Sequence, residues 1–416
     1  MTPISYDPFA RCIRSAAEVT FMSHVSPPTN RQRIYLDNAA TSWPKPAGVV
    51  EAVVGYLRDL GAPAGRSAYR EALQVAAIVH EARRRIARLI DAEGPQRIIL
   101  TFNGSDSLNM VLHGLLRAGD HVVTTVCEHN SVLRPLNALE KRLGVQVTHV
   151  PCDASGRVSP SDLLRAIGPE TRLVALTHAS NVTGTLQPVA EVGTAIRDRP
   201  PLLLVDAAQT AGHLPFSVRE MGADFVAAPG HKGLLGPLGT GILYLRPGVE
   251  EQLVSTRQGG TGTVSQEEVQ PDHLPDKFET GSPNVAGIAG LVAATTFLEQ
   301  RGLDAIRRHE VDMSTHLIRG LQSIPGVTVY GPSAAEQRVA VVSISAAGYD
   351  PSELAAGLDV ARRIQVRAGL HCAPRMHRHL DTFTTGGTVR ISPGPFTTIE
   401  QLDTAITQIA QMIGAR

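Results

Sequence analysis

The sequence predicts an α/β fold, with a large domain on a mostly parallel sheet followed by a smaller α+β domain. Between about residues 95 and 245, short runs rich in β-branched residues alternate with segments of helical periodicity. This pattern is typical of βαβ units. After about residue 300 the pattern changes, and strand-like runs lie between longer helical segments. A length of 416 residues suffices for two such domains.

The elements of the large domain follow one another in βαβ order, with strands ending at polar or glycine-rich segments. We expect strands at Arg97–Thr101, His121–Thr125, Val145–Val150, Leu173–Thr177, Leu202–Asp206, Asp224–Ala228 and Thr240–Leu245. We expect helices at Ser105–Arg117, Ser131–Leu143, Pro160–Ile167, Val189–Arg197 and Asn284–Gln300.

The small domain is expected to contain helices at 304–322, 351–362 and Ile399–Ile413, with strands near 327–330, near 339–345 and at Thr388–Ile391. We therefore divide the chain into an N-terminal extension (1–30) that we expect to be poorly structured, a large domain (31–285) and a small domain (286–416). Part of the N-terminal segment, near residues 48–60, is expected to pack on the small domain.

Charge and cysteine usage exclude several classes of function. Lys+Arg and Asp+Glu both number 39, so neither a nucleic-acid groove nor an anionic membrane surface is expected. Residues 1–30 contain no apolar run typical of a signal peptide or membrane span, and we expect a cytoplasmic protein. Cysteines without a Cys-x-x-Cys pair fit a reducing compartment. They are Cys12, Cys127, Cys152 and Cys372.

Candidate catalytic groups lie where two predicted strands end. Asp206 closes one strand, and Lys232 follows the next in the run Pro229-Gly230-His231-Lys232. Because the carboxyl ends of parallel strands meet at one edge of a sheet, we expect both side chains there. Taken singly, Asp206 is equally a helix N-cap, and a lone lysine is usually a solvated surface group.

Two further segments add a phosphate site and a flat ring. Gly104 and Ser105 link a strand to a helix, where free amides and a hydroxyl can bind phosphate. An ordinary capped helix start has the same residues. His129 follows another strand and can stack on a ring, although a buried core histidine is the default. An amine, a carboxylate, a phosphate cradle and a ring partner are what pyridoxal phosphate needs, with Lys232 as its Schiff-base lysine.

Short motifs in a specific order carry a family resemblance. They are Tyr35-Leu36-Asp37-Asn38-Ala39-Ala40-Thr41, Glu128-His129, Ser180-Asn181-Val182-Thr183-Gly184, Asp206-Ala207-Ala208-Gln209, Gly230-His231-Lys232, Phe278-Glu279-Thr280-Gly281-Ser282-Pro283-Asn284, Arg367-Ala368-Gly369-Leu370-His371-Cys372 and Val389-Arg390-Ile391-Ser392. From about residue 34 to 413 the chain resembles the cysteine desulfurase branch of the class V aminotransferase-like, fold-type I pyridoxal phosphate enzymes. That branch also includes selenocysteine lyases.

The resemblance implies a role for each matching residue. Cofactor contacts would come from Lys232, from Asp206 at the pyridine nitrogen, from Gln209 at the phenolic oxygen, and from His129, His231, Gly104, Ser105 and Asn181. Ser282 matches a residue given to the phosphate of the neighbouring subunit, which implies a homodimer with shared sites. Substrate would be bound by Arg390 at its α-carboxylate, with Arg367, Asn181, Ala39 and Ala40 lining the pocket.

One residue departs from the family pattern. Relatives usually have Ser or Thr before Gly-His-Lys, where this chain has Pro229, which offers neither a hydroxyl nor an N–H. Phosphate binding is then expected to depend more on Ser105, His231 and Ser282. We expect weaker cofactor retention rather than its loss.

Cys372 decides between reactions on this fold. It lies five residues after Arg367 and next to His371, and positive neighbours favour the nucleophilic thiolate. In isolation, a small buried cysteine is the more common interpretation. The resemblance implies that Cys372 takes sulfur from L-cysteine as a persulfide and leaves L-alanine, with His129 shuttling a proton. A zinc site is not expected, because His371, His377 and His379 fit no usual ligand spacing.

Alternative functions use the same residues. Selenocysteine lyase is the nearest, with L-selenocysteine as substrate, and an epimerase, transaminase or β-lyase would not depend on Cys372. A catalytically inactive scaffold is disfavoured by the joint presence of Lys232, Asp206, His129 and Arg390. The sulfur acceptor is expected to be a protein whose identity the sequence does not give. The segment Ala373–Gly387 is expected to be a loop on which that acceptor docks.

Overall fold

The computed structural model describes residues 33–65, 67–197 and 200–414. The expected N-terminal extension and Cys12 lie outside these residues. Thirteen strands occur in the described part: β1 (Ile34–Tyr35), β2 (Ile98–Thr101), β3 (His121–Thr125), β4 (Gln146–Val150), β5 (Thr171–Thr177), β6 (Leu202–Asp206), β7 (Phe225–Pro229), β8 (Gly241–Leu245), β9 (Val327–Tyr330), β10 (Val342–Ala346), β11 (Ile364–Gln365), β12 (Arg367–Gly369) and β13 (Thr388–Ile391).

The described α-helices number eleven, and most begin within two residues of a predicted start. They are α1 (Val49–Gly55), α2 (Arg70–Leu89), α3 (Gly104–Leu115), α4 (Asn130–Leu143), α5 (Pro160–Arg165), α6 (Val189–Ile196), α7 (Val285–Arg301), α8 (Leu303–Gln322), α9 (Pro351–Arg362), α10 (Pro374–His379) and α11 (Ile399–Gly414). None of the helices in the described residues is long and apolar enough to cross a membrane.

The central sheet has seven strands in the order β2-β8-β7-β6-β5-β3-β4. Strands β3 to β7 run parallel to one another, and β8 is antiparallel to both of its neighbours. Successive side chains alternate between two apolar cores, so that Val122 and Leu204 pack on one face while Val123 and Val205 pack on the other. Helices cover both faces, as a parallel sheet requires. The predicted α/β fold is confirmed.

The small domain has its own four-stranded antiparallel sheet, in the order β12-β13-β10-β9. The N-terminal strand β1 pairs in parallel with β11 in a separate two-stranded sheet, and Leu36 is buried in the small-domain core. Val49 of α1 is buried in one apolar cluster together with Leu291 of α7, while β1 and Leu36 contact the small domain. The expected packing of residues near 48–60 on the small domain stays a prediction.

The predicted division at residue 285 stays a prediction. Leu291, Ala294 and Leu298 of α7 are buried in the large-domain core, and we propose that the boundary falls after this helix. Strand β10 begins later than the predicted residue 339, because the Val339 amide donates to the Gly184 carbonyl at 2.9 Å instead of to a sheet neighbour. Within Ala373–Gly387, expected to be a loop, the chain forms the short helix α10.

Gly193 tests the packing of α6 on the loop before β7. In an exposed helix, Gly→Ala stabilises by roughly 0.5–1 kcal/mol. At Gly193, however, an added Cβ would lie 1.8 Å from the Met221 carbonyl oxygen. We therefore expect Gly193→Ala to destabilise by about 1–3 kcal/mol through overpacking, measured as a lower midpoint of thermal unfolding. Gly55→Ala is the matched control, since its Cβ meets no atom within 4 Å. Equal midpoints for the two variants would contradict this account.

Candidate active site

The carboxyl ends of the parallel strands open into a cavity of about 440 Å³. Every predicted site residue except Cys372 and Ser282 lines it. These residues are Ala39, Ala40, Gly104, Ser105, His129, Asn181, Asp206, Gln209, His231, Lys232, Arg367 and Arg390. Segments far apart in sequence therefore converge at one edge of the sheet, as expected of open α/β folds.

The charges of Lys232 and Asp206 influence each other's pKa within the cavity. Burial lowers the pKa of Lys232 to about 8, and the Asp206 charge opposes that shift. Burial also raises the pKa of Asp206, against a hydrogen bond of 2.9 Å from the Ala208 amide and the charge of Lys232. The Lys232 amine therefore loses its proton at lower pH than an ordinary lysine does, which suits it to proton transfer.

His129 caps helix α4 with its own ring. The Ser131 amide donates to His129 Nδ1 at 3.0 Å, so the proton of the neutral ring sits on Nε2. Burial lowers the pKa of His129 to about 3, with the positive charges of Lys232 and Arg367 adding to the effect. The ring is thus neutral. The Ser131 hydroxyl connects it to Ser105 Oγ, at 2.9 Å and 2.5 Å respectively.

The phosphate end of the cavity combines a helix N-terminus with an unpaired histidine nitrogen. Helix α3 begins at Gly104, and its start is one where anions bind. A Cβ at Gly104 would lie 3.1 Å from Pro229 Cδ, so the departure at Pro229 is matched by a residue without a side chain. His231 Nδ1 is buried and has no hydrogen-bond partner among the described residues. Burial lowers the pKa of His231 to about 4.

The peptide bond before Lys232 is hydrogen-bonded by residues 41–45, a contact that we did not predict. The His231 carbonyl accepts from the Ser42 amide at 3.0 Å, from the hydroxyls of Thr41 and Ser42 at 3.2 and 3.0 Å, and from Lys45 Nζ at 3.1 Å. Burial lowers the pKa of Lys45 to about 8. The motif at 35–41 indicated only pocket lining, and nothing in its spacing points to these contacts.

Two arginines face the cavity from neighbouring strands of the small domain. Arg367 and Arg390 are directly opposite each other on the antiparallel pair β12 and β13. Like charges at such positions repel, which makes the pair suited to an anionic ligand. Arg390 already contacts Asp37, and its Nη1 donates to the Asn181 carbonyl at 3.1 Å. Its Nε is buried without a partner among the described residues.

Cys372 lies beside this cavity on a turn in the left-handed backbone region. The φ angles of His371 and Cys372 are 46° and 59°, values that cost energy for residues with side chains. The turn is held from the large domain, where Asn181 Nδ2 donates to the His371 carbonyl at 2.6 Å and the Asn130 amide to the Cys372 carbonyl at 2.7 Å. Cys372 Sγ lies 3.8 Å from Arg367 Nη2 and is partly exposed.

Burial lowers the pKa of His371 to about 2, so that ring is neutral and Arg367 is the positive neighbour of the thiol. The side chains of Asn181 and Gln209 line the cavity and donate to the carbonyls of His371 and Ala39. Their expected contacts with a cofactor stay predictions. In the described residues, no group of three or more His, Cys, Asp or Glu side chains is arranged to hold a metal ion.

Ser282 lies away from Lys232 in the single chain. It lines a second cavity of about 280 Å³, together with Arg83, Thr240 and Asn284. The expected contact of Ser282 with the phosphate in a neighbouring subunit stays a prediction.

The reactivity of Lys232 tests the lowered pKa. In protein freed of bound cofactor, acetic anhydride should modify Lys232 with a midpoint near pH 8, since below that pH the amine is protonated and unreactive. Asp206→Asn should move the midpoint to lower pH, because the Asp206 charge raises the pKa of the amine. Exposed Lys141 is the internal control, followed by peptide mass spectrometry. A Lys232 midpoint at the ordinary lysine value of about 10 would refute this electrostatic picture.

Comparison with known proteins places these features in a family. Residues 34–404 match the family model described as aminotransferase class-V. A probable cysteine desulfurase of Methanothermobacter thermautotrophicus is 40% identical over 379 residues, covering 90% of this chain and 93% of the relative. A probable cysteine desulfurase of Halalkalibacterium halodurans is 36% identical, covering 85% and 87%.

A solved structure shares the architecture over most of both chains. The apo structure of the cysteine desulfurase from Thermococcus onnurineus aligns with a TM-score of 0.86 at 35% identity, covering 92% of this chain and 95% of that one. A cysteine desulfurase from Escherichia coli aligns with a TM-score of 0.82 at 30% identity, over 92% and 95%. The chain belongs to the aminotransferase class-V family, in the branch that contains the cysteine desulfurases.

Proposed function

We propose that this protein is a pyridoxal phosphate-dependent cysteine desulfurase, which converts L-cysteine to L-alanine and carries the sulfur as a persulfide on Cys372. The observation that carries the proposal is the position of the Cys372 thiol, 3.8 Å from an arginine on the rim of the cavity that contains Lys232. The names of the relatives favour L-cysteine over the selenocysteine lyase and the epimerase, transaminase or β-lyase alternatives.

The residues of the cavity fit pyridoxal phosphate at both of its ends. Lys232 would receive the aldehyde, and Asp206 would hold the pyridine nitrogen in its protonated form. The phosphate would lie at the start of α3, where Ser105 and the unpaired His231 Nδ1 are available. When bound, this cofactor supplies an electron sink for bonds at the substrate Cα. His129 would cover the ring face.

Arg390 and Arg367 would bind the substrate carboxylate. Their opposed positions on β12 and β13 concentrate positive charge that a single nearby carboxylate, Asp37, compensates only in part. A bidentate arginine contact orients a carboxylate as well as binding it. The amine of L-cysteine would then point toward Lys232, and its sulfur toward Cys372.

Lys232 Nζ would take the Cα proton, which its lowered pKa permits near neutral pH. The Cys372 thiolate would attack the substrate sulfur, forming an S–S bond as the C–S bond breaks with its electron pair left on carbon. His129, with its proton on Nε2, would donate a proton to the carbon left by the sulfur, and Lys232 would return its proton to Cα, so that the product is L-alanine. The persulfide on Cys372 would then pass to a protein acceptor at the exposed edge of α10.

We further propose that the chain acts as a cytoplasmic homodimer in which Ser282 completes the neighbouring site. The Ser282 cavity, separate from that of Lys232 in one chain, supports this arrangement. A comparison of turnover on L-cysteine and L-selenocysteine distinguishes the main proposal from selenocysteine lyase.

Loss of the Cys372 thiol should separate cofactor binding from desulfuration. Cys372→Ala should keep the cofactor absorbance but lower alanine and sulfide production from L-cysteine by at least about 100-fold, as removal of a nucleophile does. Cys152→Ala, which removes a thiol outside the cavity lining, is the control and should retain turnover. Desulfuration that persists in Cys372→Ala would remove this function from consideration.

Covalent trapping tests the cofactor assignment. After the protein is saturated with pyridoxal phosphate, borohydride should bleach the visible absorbance and leave the reduced cofactor on the peptide that contains Lys232. Lys232→Ala should show no trapped cofactor, while Lys141→Ala, at an exposed position, should trap it normally. Label found on another lysine, or none at all, would contradict the assignment.

A further inference from the structure

We infer that Asp37 is a positioning residue for Arg390, and that by orienting this guanidinium it sets the affinity of the site for the substrate carboxylate. This inference rests on the proposed function, in which Arg390 binds that carboxylate. Asp37 was not among the predicted site residues, although it lies in the motif at 35–41.

The guanidinium of Arg390 is held at both of its terminal nitrogens. Nη2 donates to Asp37 Oδ1 at 2.9 Å, and Nη1 donates to the Asn181 backbone carbonyl at 3.1 Å. The Arg390 side chain is only 1% exposed. A guanidinium carries five N–H donors in a rigid fork, so two fixed acceptors define its plane while other donors stay available to a ligand.

The backbone of Asp37 is fixed by contacts on both sides. Asp37 forms a parallel bridge with Ser392, two residues beyond Arg390 on the same chain segment. The Asn38 amide donates to the Ser392 carbonyl at 3.2 Å, and the Tyr35 hydroxyl donates to the Asp37 carbonyl at 3.2 Å. The Asp37 backbone therefore has a defined position relative to β13, from which its side chain reaches Arg390.

The charges around Arg390 explain why such a partner is needed. Burial lowers the pKa of Arg390, the Asp37 charge and hydrogen bond oppose this shift, and the charge of Arg367 adds to the lowering. Without Asp37, a buried guanidinium would face another arginine with no carboxylate, a costly arrangement. It would then turn toward other acceptors and lose the orientation that a bidentate carboxylate contact requires.

A matched pair of ligands tests the inference. L-alanine and ethylamine differ by the carboxylate, and their dissociation constants are measured on protein saturated with pyridoxal phosphate. Asp37→Ala should weaken L-alanine binding about tenfold, the loss expected for one charge-assisted hydrogen bond, and change ethylamine binding less than about twofold. Asp37→Asn keeps an acceptor oxygen and should stay within about threefold of wild type for L-alanine.

Two control variants separate the possible outcomes. Arg390→Ala should abolish the preference for L-alanine over ethylamine. Asp224→Asn disrupts another ion pair, between the mostly buried Asp224 carboxylate and the half-exposed Arg246 at 2.6 Å, outside the cavity lining, and should leave that preference unchanged. If Arg390→Ala weakens L-alanine binding and Asp37→Ala does not, the inference is overturned while the proposed function stands.

Two further results would also count against the inference. Equal weakening of both ligands in Asp37→Ala would show a general structural role rather than positioning of Arg390. If Arg390→Ala leaves L-alanine binding unchanged, the proposed role of Arg390 fails together with the inference.

Discussion

The burial of an amine beside a carboxylate, Lys232 with Asp206, is the constraint on which the rest of the site depends. Each group alone would be driven toward its neutral form by desolvation, and each charge opposes that shift in the other. The two groups come together where neighbouring strands end at one cavity. The parallel order β6-β7 in the middle of the sheet provides that position.

The segment 37–45 joins the two halves of the site. At one end Asp37 and its neighbours bond to β13 and Ser392, and at the other Ser42 and Lys45 bond to the His231 carbonyl. The proposed substrate clamp and the lysine turn therefore share one support. A movement of segment 37–45 would change the contacts of both Arg390 and the His231 carbonyl. Substrate binding would in this way be linked to the position of the Lys232 amine.

The Cys372 turn depends on the large domain in the same way. Its left-handed backbone is unfavourable by itself. The Asn130 backbone amide and the Asn181 side-chain amide stabilise it by donating hydrogen bonds to the carbonyls of Cys372 and His371. Asn130 directly follows His129, and Asn181 also accepts from Arg390. The proposed nucleophile is thus positioned by the same residues that line the cofactor and substrate cavity.

Much of this protein was determined by the sequence alone. The short apolar runs that end at Asp206 and before Lys232, alternating with helical segments, predicted the sheet, its edge and the residues that line the cavity, because strand–helix alternation is a local signal. Helix α2 was not predicted. The short strands β1, β11 and β12 were not predicted either, because strands of two or three residues form only where a partner strand pairs with them.

The remaining features were decided only by the tertiary structure. The contacts of Asp37 with Arg390 and of Lys45 with the His231 carbonyl join residues 353 and 186 positions apart, for which no spacing rule exists. The neutral state of His371 follows from burial that neighbouring residues in sequence do not reveal. Local pattern therefore chose the residue types of the site, while long-range packing set their charges and their partners.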